Sequence, residues 1–201
     1  MPDDADRIVG LYERHAESFD KERGKALFEK SWLDRFLALL PPGGTILDLG
    51  CGSGEPIARY FIENGFGLTG ADSSQNMIAL CRQRFPDERW VVADMRSLSL
   101  GEKFNGVLAW DSFFHLRAED QRKMFPVFSR HAAPGAALMF TSGPQAGVAM
   151  GEYHGEPLYH ASLDPAEYRA LLAGNGFEEI AQVSEDPACG GRTVWLAQKS
   201  V

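Results

Sequence analysis

Short apolar runs alternate with longer amphipathic segments along this chain. Five runs are apolar almost throughout, namely TILDL, GLTGA, WVVA, GVLAW and ALMFT, at residues 45–49, 67–71, 90–93, 106–110 and 137–141. Between them apolar residues recur at helical spacing, at 56–64, 74–85 and 119–132. Short continuous apolar runs are typical of strands buried on both faces, and their alternation with helices is typical of a parallel sheet. The pattern predicts an α/β protein.

The two ends of the chain extend this pattern. Helical spacing predicts two helices before the first strand, near 8–19 and 26–40, and one after residue 164 that ends before Gly176. Two further strands are predicted at 177–185 and 193–199. Residues 142–164 show neither the spacing of apolar residues typical of a helix nor the pattern typical of a strand. This predicts an irregular loop over a site. We therefore expect a single domain over residues 1–201, with a helical lid or cap at 1–44.

Composition and charge narrow the classes of function. The formal net charge is −8, and the longest basic block is RQR at 82–84, which disfavours nucleic acid as a partner. No apolar run approaches the ~18 residues of a membrane span, and the charged N-terminus does not resemble a secretory signal. The three cysteines have no metal-ligand spacing. We expect a cytoplasmic protein that contacts neither membrane nor metal.

Three glycines follow the first predicted strand in LDLGCGSGE, at positions 50, 52 and 54. Glycine allows positive φ angles and lets a ligand approach the backbone, and the helix beyond offers free N–H groups. A dinucleotide-binding turn would need a further glycine at position 55, where Glu55 stands. The turn therefore favours a nucleotide-like ligand without a pyrophosphate, and disfavours the alternative of a nicotinamide oxidoreductase.

Together with GADSSQNM at 70–77 and VVADMRSL at 91–98, this turn resembles the motifs of class I S-adenosylmethionine-dependent methyltransferases. The resemblance covers residue 45 to about residue 199. It implies a Rossmann-like three-layer α/β/α sandwich whose seven-stranded sheet is mostly parallel with the last strand antiparallel. It also implies transfer of a methyl group by in-line displacement, which leaves S-adenosylhomocysteine. A non-catalytic module that binds S-adenosylmethionine is the alternative.

The resemblance implies a role for each residue that matches a motif. The glycine loop, formed by Gly50, Cys51, Gly52 and Gly54, would pass under the methionine part and the ribose. Asp72 would accept hydrogen bonds from the ribose hydroxyls, and Asp94 would accept one from the adenine amino group. The remaining cofactor contacts would come from Ser73, Met77 and Met95 around the adenosine, Trp110 facing the sulfonium, and Tyr12 and Arg23 of the N-terminal segment. For Met77 and Trp110, simple core packing is an equally good interpretation.

Two histidines are the candidates for proton transfer to or from the methyl acceptor. His115 follows the fourth predicted strand, and His160 lies in the predicted loop; a structural role is the alternative for each. The segment WDSF at 110–113 differs from the Asn/Asp-Pro-Pro-Tyr tetrad of enzymes that methylate amino groups of nucleic acids and glutamine. Nearby aromatic residues suggest a small, apolar acceptor molecule. The choice between monomer and homodimer stays open.

Overall fold

Helices and strands alternate along residues 4–201, the part of the chain that the computed structural model describes. The helices are α1 (Asp4–Glu22), α2 (Lys30–Leu37), α3 (Ile57–Glu63), α4 (Gln75–Arg84), α5 (Ala118–His131) and α6 (Pro165–Gly174). The strands are β1 (Thr45–Leu49), β2 (Gly67–Asp72), β3 (Arg89–Val92), β4 (Phe104–Ala109), β5 (Ala132–Ser142), β6 (Gly147–Tyr153), β7 (Glu156–Ser162), β8 (Phe177–Asp186) and β9 (Arg192–Lys199). A short 3-10 helix spans Phe113–His115.

Seven of these strands form one sheet in the order β3-β2-β1-β4-β5-β9-β8. β1 to β5 pair in parallel, and β9 runs antiparallel to both of its neighbours. The predicted sheet, with an antiparallel last strand, is confirmed. Because β1 lies between β2 and β4, the carboxyl ends of these three strands lie side by side. Ligand sites of open parallel sheets form at this edge.

Helices cover both faces of the sheet, as the apolar strands require. In β1, Ile46 belongs to the buried cluster on one face, while Leu47 and Leu49 belong to the cluster on the other, since successive strand residues point to opposite faces. One cluster contains residues of α2, α3 and α4, and the other contains residues of α5 and α6. The architecture is therefore the expected three-layer sandwich.

The irregular loop expected at residues 142–164 is mostly a β-hairpin, so that prediction was wrong. β6 and β7 pair antiparallel, and the two residues between the strands, His154 and Gly155, both have positive φ, of 50° and 77°. Two-residue turns of this kind match the twist of a hairpin. The strands show little apolar alternation because β6 is exposed along almost its whole length. The sequence pattern therefore carried no strand signal.

α1 crosses the carboxyl edge of the sheet and contacts both α4 and β7. The role of a lid stays a prediction for this segment. None of the helices within residues 4–201 combines the length and apolar character needed to cross a membrane.

Candidate functional site

A cavity of about 180 Å³ lies between α1 and the carboxyl ends of β1 to β4. Since one water occupies about 30 Å³, the space suits a ligand better than isolated waters. The cavity brings together nine of the residues predicted from sequence: Tyr12, Gly50, Gly52, Asp72, Ser73, Met77, Asp94, Met95 and His115.

The glycine loop forms the floor of the cavity. Gly50 and Gly52 have φ angles of 73° and 54°, in the left-handed region that favours glycine. A Cβ on Gly50 would lie only 2.3 Å from the Cβ of Ser112, so this glycine allows two loops to pack closely. A Cβ on Gly52 would meet only the ring of Phe19, at 3.5 Å. Gly52 is therefore the position at which the backbone lies open to a ligand.

Asp72 follows the loop at the end of β2, with its carboxylate held by the backbone. Oδ2 accepts a hydrogen bond from the N–H of Gly52 at 3.0 Å, and Oδ1 accepts one from the N–H of Ser74 at 2.8 Å. Burial raises the pKa of the carboxyl, and these N–H groups partly offset that effect. Each oxygen keeps a second lone pair. The carboxylate can therefore accept two donors from a ligand, such as neighbouring hydroxyl groups.

Asp48 is a second carboxyl group beneath the loop. It is 4% exposed, and its burial together with the nearby Asp72 raises its pKa to about 7. Near neutral pH this carboxyl therefore takes up a proton readily, unlike an ordinary aspartate.

His115 is held in one tautomer by two hydrogen bonds. Its Nδ1 donates to the carbonyl of Tyr159 at 2.8 Å, so its Nε2 accepts from the hydroxyl of Tyr12, at 3.1 Å. Burial lowers the pKa of His115 to about 4. The imidazole is thus neutral at physiological pH, with the lone pair of Nε2 directed at a cavity residue. Burial also raises the pKa of the Tyr12 hydroxyl above its usual value, which keeps that hydroxyl protonated.

Asp94 lines the cavity beyond β3, with its carboxylate bound by Arg96. Nε and Nη2 of Arg96 form a fork on the two oxygens at 2.6–3.0 Å. Burial opposes ionisation of Asp94, but the guanidinium outweighs burial and lowers the pKa of the carboxyl. Asp94 is therefore an ionised acceptor at this end of the cavity.

Five of the predicted residues do not line the cavity. Arg23 forms a 2.6 Å ion pair with the fully buried Glu29, so it does not face a ligand there. Trp110 is 4% exposed and packs in the core, which favours the alternative interpretation of this residue. Gly54 packs against Phe85, and a Cβ there would lie 3.2 Å from that ring.

The other two lie just behind the cavity wall. The Sγ of Cys51 lies 3.8 Å from the carbonyl oxygen of Gly52, and the thiol of Cys81 donates to the same oxygen. The thiol of Cys51 therefore packs under the glycine loop. The ring of His160 lies 4.8 Å from that of His115 and supports it from the hairpin side.

Sequence reasoning missed Asp111, which lines the cavity directly after β4. Its φ of 47° is unusual for a residue other than glycine, and its N–H donates to Thr141 at 2.9 Å. Arg192 binds its carboxylate in a fork at 2.7–2.8 Å. The sequence offered one indication of this site residue, because in WDSF an aspartate directly follows an apolar run. Backbone strain of this kind concentrates at functional sites.

Most acidic side chains of the lining are paired with cations. The cavity is lined by five aspartates, Asp6, Asp72, Asp94, Asp111 and Asp120, and by two arginines, Arg96 and Arg117. Arg96 binds Asp94 and Asp120, Arg117 binds Asp6, and Arg192 binds Asp111, so these ion pairs offset much of the acidic charge.

Residues 46–135 match the sequence profile of a family described as "Methyltransferase domain". The protein YqeM of Bacillus subtilis (strain 168) is 30% identical over 136 residues, which are 65% of this chain and 54% of YqeM. The dTDP-3-amino-3,4,6-trideoxy-alpha-D-glucopyranose N,N-dimethyltransferase of Streptomyces venezuelae is 30% identical over 101 residues, 49% of this chain and 42% of that protein. The chain thus spans about half the length of these relatives.

A solved structure shares the fold over nearly the whole chain. CalS10, an amino pentose methyltransferase from Micromonospora echinaspora solved with S-adenosylmethionine bound, has a TM-score of 0.72 to this chain. It is 22% identical, and the superposition covers 92% of this chain and 96% of CalS10.

Proposed function

We propose that this chain is a class I S-adenosylmethionine-dependent methyltransferase, which binds S-adenosylmethionine in the cavity beneath α1 and transfers the methyl group to a small-molecule acceptor. The observation that carries this proposal is the carboxylate of Asp72, which is fixed by Gly52 and Ser74 with two lone pairs left for a ribose diol.

The residues of the cavity fit the parts of this cofactor. Asp72 would bind the ribose, and Asp94 with Met95 would bind the adenine, while Gly52 leaves its backbone open to the methionine part. When bound, S-adenosylmethionine supplies a methyl group activated for displacement. α1 covers one side of the cavity with Tyr12, which would limit the access of water to the methyl group.

His115 and Tyr12 would handle the proton that the acceptor loses. A neutral imidazole can take a proton at Nε2, and the Tyr12 hydroxyl that now occupies Nε2 lies between His115 and the cavity. Holding the acceptor in line with the methyl group can by itself lower the activation free energy by roughly 7–11 kcal/mol. The amino-sugar methyltransferases among the relatives support a small amine as the acceptor, which is more polar than the molecule expected from the aromatic residues alone.

Calorimetry with S-adenosylhomocysteine tests the cofactor site without an acceptor. Since two charge-assisted hydrogen bonds are lost, D72A should bind S-adenosylhomocysteine about 100-fold more weakly than the parent. D72N should also bind it more weakly, but by a smaller factor. D87A, which removes an exposed aspartate outside the cavity, should bind like the parent. Equal affinity of D72A and the parent would refute the site.

An acceptor screen then tests the reaction. Methyl-labelled S-adenosylmethionine should label a small amine or alcohol, and not RNA or protein. Binding of the cofactor with no labelled product in any class would instead support the non-catalytic binding module.

A further inference from the structure

Gln121 of α5 carries a polar side chain that is fully buried. Its Nε2 donates to the carbonyl oxygen of Leu116 at 2.9 Å and to that of Ala161 at 2.8 Å. Its Oε1 accepts a hydrogen bond from the hydroxyl of Tyr168 at 2.6 Å. Because carbonyl oxygens only accept, these partners fix the orientation of the amide, and both of its N–H groups are used. The amide of Gln121 therefore joins three separate segments of the chain.

The two carbonyl groups belong to the segments that orient His115. Leu116 directly follows His115 in the chain, and Ala161 lies two residues after Tyr159 on β7. His115 itself donates from Nδ1 to the carbonyl oxygen of Tyr159 at 2.8 Å. The amide of Gln121 thus spans the same gap, between the 3-10 helix and β7, as this hydrogen bond of the imidazole. Gln121 therefore holds together the two segments across which His115 reaches Tyr159.

Tyr168 anchors the amide of Gln121 from α6. Its side chain is fully buried, and its hydroxyl accepts at 3.0 Å from the N–H of Leu163, the residue that follows β7. Burial raises the pKa of Tyr168 to about 12, so the hydroxyl keeps the proton that it donates to Gln121. Buried networks whose members are all bonded favour a single arrangement of the elements that they join. Hydrogen bonds thus specify the position of β7 relative to α5 and α6.

Resting on the proposed function, we propose that Gln121 is a positioning residue for proton transfer through His115. By holding Leu116 and Ala161, it keeps the carbonyl of Tyr159 where that carbonyl accepts from Nδ1, so the proton of the neutral imidazole stays on Nδ1. The lone pair on Nε2 is then available for the proton that leaves the acceptor. Without the two donors of Gln121, β7 moves relative to the 3-10 helix, and His115 also populates the tautomer with its proton on Nε2. That tautomer cannot accept a proton at Nε2.

Nitrogen-15 NMR of histidine-labelled protein at pH 7.5 tests this proposal without an acceptor, because it reports which ring nitrogen carries the proton. The signals of His115 are identified by their loss in H115A. In the parent, Nδ1 should be protonated and Nε2 unprotonated. In Q121M, which keeps the length of the side chain without its donors, the two signals should move towards each other. R122M is the matched control, since Arg122 joins α5 to α6 by an exposed ion pair with Glu167, and its spectrum should match that of the parent.

Turnover with the acceptor found in the screen is the second measurement. Q121M should lower turnover about tenfold, since two neutral hydrogen bonds that fix the geometry are lost. It should change the affinity for S-adenosylhomocysteine less than about threefold, because Gln121 is not among the residues that line the cavity. A loss of affinity as large as the loss of turnover would indicate general damage to the fold and would overturn a positioning role.

An unchanged His115 tautomer in Q121M would overturn the proposal, as would a shifted tautomer with the turnover of the parent. If circular dichroism shows Q121M unfolded, Y168F decides, because it keeps both donors of Gln121 but frees the amide from α6. The tautomer of His115 in Y168F should shift in the same direction by a smaller amount, and no shift would overturn the proposal. A parent that binds no S-adenosylhomocysteine would overturn the proposed function itself, and the tautomer comparison would still decide whether Gln121 orients His115.

Discussion

Burial and two partners that lie far away in sequence hold His115 in one neutral tautomer, with Nε2 as the acceptor. Tyr159 accepts from its Nδ1, and Tyr12, 103 residues away, donates to its Nε2. Burial lowers the pKa of His115 to about 4, so the base form predominates from about pH 5 upward. Proton transfer through His115 should therefore show no dependence on pH between 6 and 8.

We predict that H115A lowers turnover at least about 100-fold and changes the affinity for S-adenosylhomocysteine less than about threefold, because the imidazole serves the acceptor. Y12F should lower turnover less, since Nε2 stays available. Turnover is measured with the acceptor found in the screen, and affinity by calorimetry. Unchanged turnover of H115A would leave His115 a purely structural role.

At the scale of elements, α1 and the β6–β7 hairpin form a common cover over the cavity. Glu22 of α1 accepts from the hydroxyl of Tyr153 at 3.0 Å and contacts His154, while Glu156 of the hairpin pairs with Arg14 and His15. These contacts are exposed to solvent, so each of them stabilises the cover only weakly. The cover is therefore held by several weak contacts, which suits an element that must open for ligands.

We predict that E22Q combined with E156Q speeds amide hydrogen exchange in α1 and in β6–β7 about fivefold, because the double variant weakens the contacts of both elements with each other. Exchange in β1 and β4 should stay unchanged. E17Q is the control, because Glu17 lies on α1 but pairs only with Lys21. Equal exchange in the double variant and the parent would show that other contacts hold the cover.

For the whole molecule, stability should depend on the two carboxyl groups beneath the glycine loop. Burial and Asp72 raise the pKa of Asp48 to about 7, whereas an aspartate in the unfolded chain titrates near 3.9. The folded state therefore keeps a proton that the unfolded state releases. This contribution to stability is fully present below about pH 4 and is lost as the pH rises to about 7.

We predict that D48N removes this loss. The free energy of unfolding of D48N relative to the parent should increase between pH 5 and pH 7, by up to about 1.4 kcal/mol per pH unit, and level off above pH 7. Urea unfolding at a series of pH values measures this slope. D87N, at an exposed aspartate, should give a difference from the parent that does not change with pH. If the difference in unfolding free energy between D48N and the parent also did not change with pH, the pKa of Asp48 would not be raised.

The sequence by itself determined the sheet, its strand ends and the groups placed there. Apolar runs specify buried strands because burial dominates folding, and a parallel sheet brings the carboxyl ends of β1, β2 and β3 to one edge. Gly50, Gly52, Asp72 and Asp94 could therefore be placed at a shared cavity, because each lies at the carboxyl end of a strand or within three residues of it.

Only the tertiary structure decided which distant groups meet. The hairpin escaped prediction because its exposed strand carries no apolar alternation. The partners of His115 and Asp111 lie on α1, β7 and β9, and their identity depends on how these elements pack together. Sequence periodicity reports local burial, whereas ion pairs and hydrogen bonds between elements depend on distances that exist only once the chain has folded.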